Sequence, residues 1–180
     1  VIKELKEQKI DYKVFFTSQH FSYEMGQSFF EEFGIQVDEK LEPCFSNGLA
    51  VDWLIAEFNT YKPDVVLVQG DTNSALAGAL AGVQCNIKVG HIEAGLRTWD
   101  FDSPFPEEYN RVLIDSIAHY TFCPTSRNFL TIERERQYIT KSFITGNTII
   151  DLLEEKFGGI GIEDKKNQIV ITCHRRENWD

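Results

Sequence analysis

Residues 62–92 read KPDVVLVQGDTNSALAGALAGVQCNIKVGHI. Lys62-Pro63-Asp64 breaks the pattern that precedes it, since proline restricts its neighbour and lacks a donor. Val65 to Gln69 is then almost continuously apolar, as expected of a parallel strand covered on both faces. Gly70-Asp71-Thr72 follows at once. Ser74 to Val83 is a run of small residues at helical spacing, able to lie close against a sheet, and Ile87 to Ile92 is a second strand. Parallel strands need a crossover of this length between them. The stretch therefore predicts two parallel strands joined by a helix.

The same alternation extends both ways. Upstream, Val1 to Lys9 reads as an amphipathic helix, Tyr12 to Thr17 as a strand, Tyr23 to Phe33 as a helix stopped by Gly34, and Leu49 to Tyr61 as a helix. Ile35 to Ser46 is an irregular connection. Downstream, helices are predicted over Glu107 to Ala118, Thr125 to Arg136 and Asn147 to Lys156, with strands at His119 to Cys123 and Ser142 to Thr145. Regular alternation of strand and helix predicts an α/β chain with a doubly wound parallel sheet. Gly158-Gly159-Ile160-Gly161 relaxes the pattern, and Gln168 to Thr172 starts another strand. The expected division is a domain over 1–157, including a connecting helix at 146–157, and the start of a second over 158–180. One strand cannot bury a core. The second domain is accordingly expected to be cut short, and the uncapped first helix suggests a lost N-terminal strand.

The 180 residues carry a net charge of −10, against the clustered lysine and arginine that nucleic acid or an anionic lipid surface requires. Yet all seven arginines lie beyond residue 96, and Arg97, Arg111, Arg175 and Arg176 fall in the two densest motifs. The planar guanidinium suits a locally held phosphate. Cys44, Cys85, Cys123 and Cys173 are widely spaced and read as free thiols of a reducing compartment. No apolar run has membrane-spanning length. A cytoplasmic location is expected.

Chemistry-bearing residues stand at strand exits: Gln19-His20, Asp71-Thr72, Glu93 to Arg97, and His174 to Glu177. In an open parallel sheet the carboxyl ends of strands share one edge, so these converge. Plainer readings exist for each. Asp71 or Thr72 can cap a helix, Glu93 can pair with Arg97, and Glu107 and Glu108 favour a helix N-terminus. His20 and His91 read by themselves as structural or supporting groups, and His119 gives no functional signal. Trp53 and the cluster Phe29, Phe30 and Phe33 read as core. Thr145-Gly146-Asn147-Thr148 can present backbone donors to an anion, or serve as a turn and cap. His174, Arg175, Arg176 and Glu177 crowd charge at one strand end, which calls for a bound anion. No GxGxxG, Walker loop or metal-ligand cluster accompanies these groups, so neither a nicotinamide cofactor nor a metal is indicated.

GDTNS at 70–74, GHIEAGLRT at 90–98, PFPEEYNR at 104–111, TGNTIID at 145–151 and TCHRREN at 172–178 together resemble the UDP-N-acetylglucosamine 2-epimerases, in order and spacing along nearly the whole chain. The resemblance implies the Rossmann-like half of a glycosyltransferase-B-type two-domain fold, with the site in the cleft and a homodimer when full length. It also implies a place in cell-surface polysaccharide biosynthesis. Asp71, Glu93 and Glu107 are implied as catalytic carboxylates, joined by His174 from the other domain. Arg97, Arg111, Arg175, Glu177, Asn178, Gln19 and His20 are expected to hold a nucleotide sugar. The family's N-terminal strand with its arginine-bearing phosphate loop is absent here, as is most of the second domain. The run Thr17 to Tyr23 departs from the polar run of members regulated by a second substrate molecule.

The implied activity interconverts UDP-GlcNAc and UDP-ManNAc without hydrolysis. Alternatives are a hydrolysing epimerase that releases free N-acetylmannosamine, a glycosyltransferase of the same fold, and a nonenzymatic nucleotide-sugar binding module. A transferase needs an acceptor site and gives no reason for three carboxylates. A binding module tolerates their neutralisation.

Overall fold

The computed structural model describes residues 1–19, 27–42, 46–135 and 141–158. In chain order the elements are α1 (Ile2–Glu7), β1 (Phe15–Phe16), α2 (Gln27–Glu32), β2 (Glu39–Lys40), α3 (Asn47–Tyr61), β3 (Val65–Gln69), α4 (Asn73–Gln84), β4 (Lys88–Ile92), α5 (Glu107–Ile117), β5 (Tyr120–Cys123), α6 (Ser126–Glu135), β6 (Lys141–Ile144) and α7 (Thr148–Phe157). Strands β3, β4, β5 and β6 form one parallel sheet in sequence order, with α4, α5 and α6 as the crossovers. The alternation read from the sequence holds through this half of the chain. The expected strand at 168–172 and the second domain lie outside the described residues.

The small-residue helix behaves as its composition requires. A β-carbon on Gly78 would come within 2.9 Å of Val68, and one on Gly82 within 2.8 Å of Val89. Helix α4 therefore sits on the sheet at a distance that no larger residue at those two positions allows. Around this contact the core collects Ala50, Leu54 and Phe58 of α3, Ala75, Ala77, Ala79 and Ala81 of α4, Val66, Val68, Val89 and Ile114. Each large aliphatic side chain buried here contributes about 1.5–3 kcal/mol.

The register places Val66 beside Val89, Val68 beside His91, and His91 beside Thr121. All five are buried, so the helices cover this one face. The opposite face of β3 corrects an expectation: Val65 and Leu67 are 41% and 43% exposed. An apolar run does not reveal which face a neighbouring element will cover. On that side Gly90 leaves room for Leu67 and Phe122, which would meet a β-carbon there at 2.7 and 3.2 Å.

Two further expectations change. The stretch 35–46 holds a short strand, β2, parallel to β1 with Phe15 opposite Glu39. Both its residues are exposed, so it carries no hydrophobic signature; its place is set by Val14, whose N–H donates to the Asp38 carboxylate at 2.8 Å. Phe29 and Phe33, expected in the core, are exposed. Phe30 packs against Phe16, and Trp53 against Phe15 and the core, as expected. Cys85 and Cys123 are free thiols. Among the described residues no helix is long and apolar enough to cross a membrane.

Candidate active site

The exits of β3 and β4 and the first turns of α4, α5 and α7 meet at one end of the sheet. Which residue caps α4 is settled by Thr72, whose hydroxyl accepts from Ala75 N at 3.2 Å. Asp71 is thereby free for another partner. Its Oδ2 receives Arg111 Nε at 2.8 Å and Nη2 at 2.6 Å, while its backbone carbonyl receives Asn110 Nδ2 at 2.8 Å. Arg111 also donates to Glu108 at 2.9 Å. The Arg111 fork thus faces two carboxylates of the chain and orients Asp71.

Glu93 leaves β4 with φ of 71°, a left-handed conformation that L-residues with a side chain rarely adopt. The strain aims its carboxylate across the strand ends. Asn147, which caps α7 by accepting from Ile149 N, donates to Glu93 Oε1 at 3.1 Å. The other oxygen lies over Gly70, 3.6 Å from where a β-carbon there would sit. The segment Thr145 to Thr148 is thus a turn and cap that also holds Glu93.

Glu107 opens α5, one helical turn before Arg111. Its Oε2 is, among the described residues, the one buried side-chain nitrogen or oxygen without a hydrogen-bond partner. Buried polar atoms are nearly always satisfied, so an orphaned carboxylate oxygen stands out from the rest of the structure. Gln19 is also brought to this end, with Oε1 accepting from both the N–H and the hydroxyl of Ser74 at 2.8 Å. His20, His174, Arg175, Glu177 and Asn178 lie outside the described residues.

Arg97, on the loop that leaves β4, has different partners. Its side chain is buried and spans Asp115, at 2.8 Å, and Glu135, to which Nε donates at 3.0 Å. Burial lowers the affinity of this guanidinium for its proton, and the Glu135 and Asp115 carboxylates more than restore it. In this structure the charge is engaged by carboxylates of the chain itself. Sequence reasoning took Glu108 only as a helix-start residue, passed over Asp115, and read Asn147 only within an anion-binding or capping turn. A signal existed for the first two: they are seven residues apart on α5, two turns, and share its inward face with Ile114.

Glu108 is 1% exposed and accepts from the backbone N–H groups of Thr98 and Trp99 at 2.9–3.0 Å as well as from Arg111. Burial raises its pKa, but these donors outweigh burial and hold the carboxyl below its usual range. Asp115 is likewise depressed: burial raises it, and the His91 hydrogen bond with the charges of His91 and Arg97 lowers it further. Groups of this kind add stability above their unfolded pKa, about 4, and lose it as pH falls through the folded value. Replacing Glu108 by glutamine should flatten the loss of urea resistance on acidification below about pH 4. Superimposable pH dependences for the two proteins would remove Glu108 from that role.

Among the described residues no group of three or more His, Cys, Asp or Glu side chains is placed to hold a metal ion. What converges is a set of carboxylates, two held by nitrogen donors and one with an open oxygen.

A family model described as UDP-N-acetylglucosamine 2-epimerase matches residues 3–180. The chain belongs to that family. It is 38% identical over 200 residues to the UDP-N-acetylglucosamine 2-epimerase of Methanocaldococcus jannaschii, covering 100% of this chain and 53% of that protein. Against the Escherichia coli K12 epimerase it is 43% identical over 141 residues, covering 70% of this chain and 37% of that one. The M. jannaschii epimerase solved with UDP-GlcNAc and UDP superposes with TM-score 0.81 at 38% identity, over 90% of this chain and 46% of that one. The Neisseria meningitidis epimerase bound to UDP-GlcNAc gives 0.79 at 35%, over 90% and 46%. The chain spans about half the length of these epimerases. Its fold is that of the Rossmann-like half of a glycosyltransferase-B-type epimerase.

Proposed function

We propose that the full-length protein containing this chain is a non-hydrolysing UDP-N-acetylglucosamine 2-epimerase, interconverting UDP-GlcNAc and UDP-ManNAc. The observation that carries the reading is the buried, unpartnered Oε2 of Glu107 on the helix whose Arg111 grips Asp71, with Glu93 strained toward the same sheet end. The binding of UDP-GlcNAc by the M. jannaschii and N. meningitidis relatives supports the substrate class.

The chemistry demands such groups. The hydrogen on the sugar's second carbon is not beside a carbonyl, so a base alone cannot remove it. Breaking the bond between the anomeric carbon and the diphosphate oxygen leaves an oxocarbenium-like centre that acidifies this hydrogen. A carboxylate stabilises the cation and another accepts the proton, yielding an unsaturated sugar and free UDP. Protonation of the second carbon on the opposite face and return of the UDP oxygen to the anomeric carbon give the epimer. Asp71, whose carboxylate is oriented by Arg111, suits the electrostatic role, and Glu107, with an unpartnered oxygen, suits proton transfer. Glu93 supplies a third carboxylate. His174, Arg175, Glu177, Asn178, Gln19 and His20 complete the proposed binding set, and the active form is proposed to be a cytoplasmic homodimer.

Incubation of the full-length protein with UDP-GlcNAc in heavy water, without acceptor, tests the reading. The expected product is UDP-ManNAc carrying deuterium at the second carbon, with bridge oxygen-18 scrambled to non-bridging positions. Free N-acetylmannosamine as first product would establish the hydrolysing reaction instead. An unscrambled bridge with the original hydrogen retained would overturn the elimination route.

A further inference from the structure

We propose that Asp115, outside the reacting carboxylates, is a positioning residue that holds the Asp71 and Glu93 loops in register with one another; this rests on the epimerase reading. Asp115 is 1% exposed, in the body of α5. Its three partners all come from the loop side of β4. Oδ1 lies 2.6 Å from His91 Nδ1, and Oδ2 accepts from Gly95 N at 3.1 Å and from Arg97 Nη1 at 2.8 Å.

Two arms lead from this carboxylate to the site. Along the first, His91 Nε2 reaches the backbone carbonyl of Gly70 at 2.8 Å. A carbonyl can only accept, so Nε2 carries a proton and donates. Gly70 immediately precedes Asp71. Along the second, Gly95 N and Arg97 fix the turn that starts at Glu93, in which Glu93 and Gly95 both have positive φ, 71° and 79°. That turn is pressed onto α6: a β-carbon on Gly95 would lie 2.3 Å from the Asn128 carbonyl oxygen, and Asn128 Nδ2 donates to Gly95 O at 3.1 Å. Arg97 continues to Glu135, so one chain of contacts runs from α6 through Asp115 to the exit of β3.

Packing at this position does not by itself require a charge. Buried ion pairs are commonly no more stabilising than apolar side chains of the same volume. Ile114, fully buried one residue away, shows that this part of α5 packs an apolar residue well. What the carboxylate adds is direction: one group ties together the two loops whose carboxylates must be fixed relative to a sugar ring, where a misplacement of about 1 Å costs about a hundredfold in rate.

The test uses the full-length protein with UDP-GlcNAc. Asp115→Asn keeps the volume and should lower kcat by about a hundredfold while KM stays within about threefold. Ile114→Val, a change in a core neighbour on the same helix, should lower the melting temperature without comparable loss of kcat. In a double-mutant cycle, the combined loss in Asp115→Asn with Asp71→Asn should fall well short of the product of the two single losses, since Asp115 acts in part through that carboxylate. If Asp115→Asn does not fold, His91→Gln, which retains a donor toward Gly70, takes its place with the same expectations. A kcat within twofold of wild type, full additivity in the cycle, or equal kcat loss in Ile114→Val overturns the role given to Asp115. A folded wild type that leaves UDP-GlcNAc unchanged overturns the epimerase reading, and the role with it.

Discussion

Glu107→Gln in the full-length protein is expected to lower kcat for UDP-GlcNAc epimerisation by about a hundredfold or more, the scale of a lost acid/base group. The amide matches the carboxylate in size, so folding should survive. It should also cost little stability, because the buried Oε2 has no partner in the free protein and the change breaks no hydrogen bond at that atom. Little or no change in melting temperature alongside the lost rate is therefore the signature of a group kept for chemistry. The reverse result, near-normal kcat with a lower melting temperature, would make Glu107 a helix-start residue and nothing more. Asp71→Asn and Glu93→Gln should lose rate on a similar scale but with some stability, since each already holds a nitrogen donor within the chain.

Arg97→Ala is expected to have the largest effect on stability, about 3–5 kcal/mol, because it strands the buried carboxylate of Asp115 beside a cavity and leaves Glu135 without its partner. In thermal unfolding this corresponds to a fall of about 10 °C for a domain of this size. A ligand-holding arginine behaves differently: its loss raises KM and leaves the melting temperature of the free protein nearly unchanged. Arg97→Ala with normal thermal stability and a weakened affinity for UDP would therefore restore the substrate-binding role and undo the structural one.

Arg97 and Arg111 also show where reading a sequence stops. Their concentration near GLRT and PEEYNR was visible, and so was the chemistry a guanidinium offers. Whether that chemistry faces outward to a phosphate or inward to a carboxylate depends on residues 38 positions away for Glu135 and 40 positions away for Asp71. No local pattern contains such distances. Asp71 and Thr72 pose the same problem at closer range: both can cap α4, and only the backbone path into the helix gives that task to Thr72.

By itself the sequence determined the succession of parallel strands and crossover helices, because periodicity, glycine and proline act over a few residues at a time. It determined the close seat of α4, since Gly78 and Gly82 are small whatever surrounds them. It also determined the family, whose motifs recur in order along the chain. The tertiary structure alone decided which face of β3 is covered, that 39–40 pairs with 15–16, that Arg97 is spent on Asp115 and Glu135, and that Glu107 keeps an open oxygen. Those outcomes are set by contacts between segments far apart in the chain, where burial and hydrogen bonding select one partner from several of equal local merit.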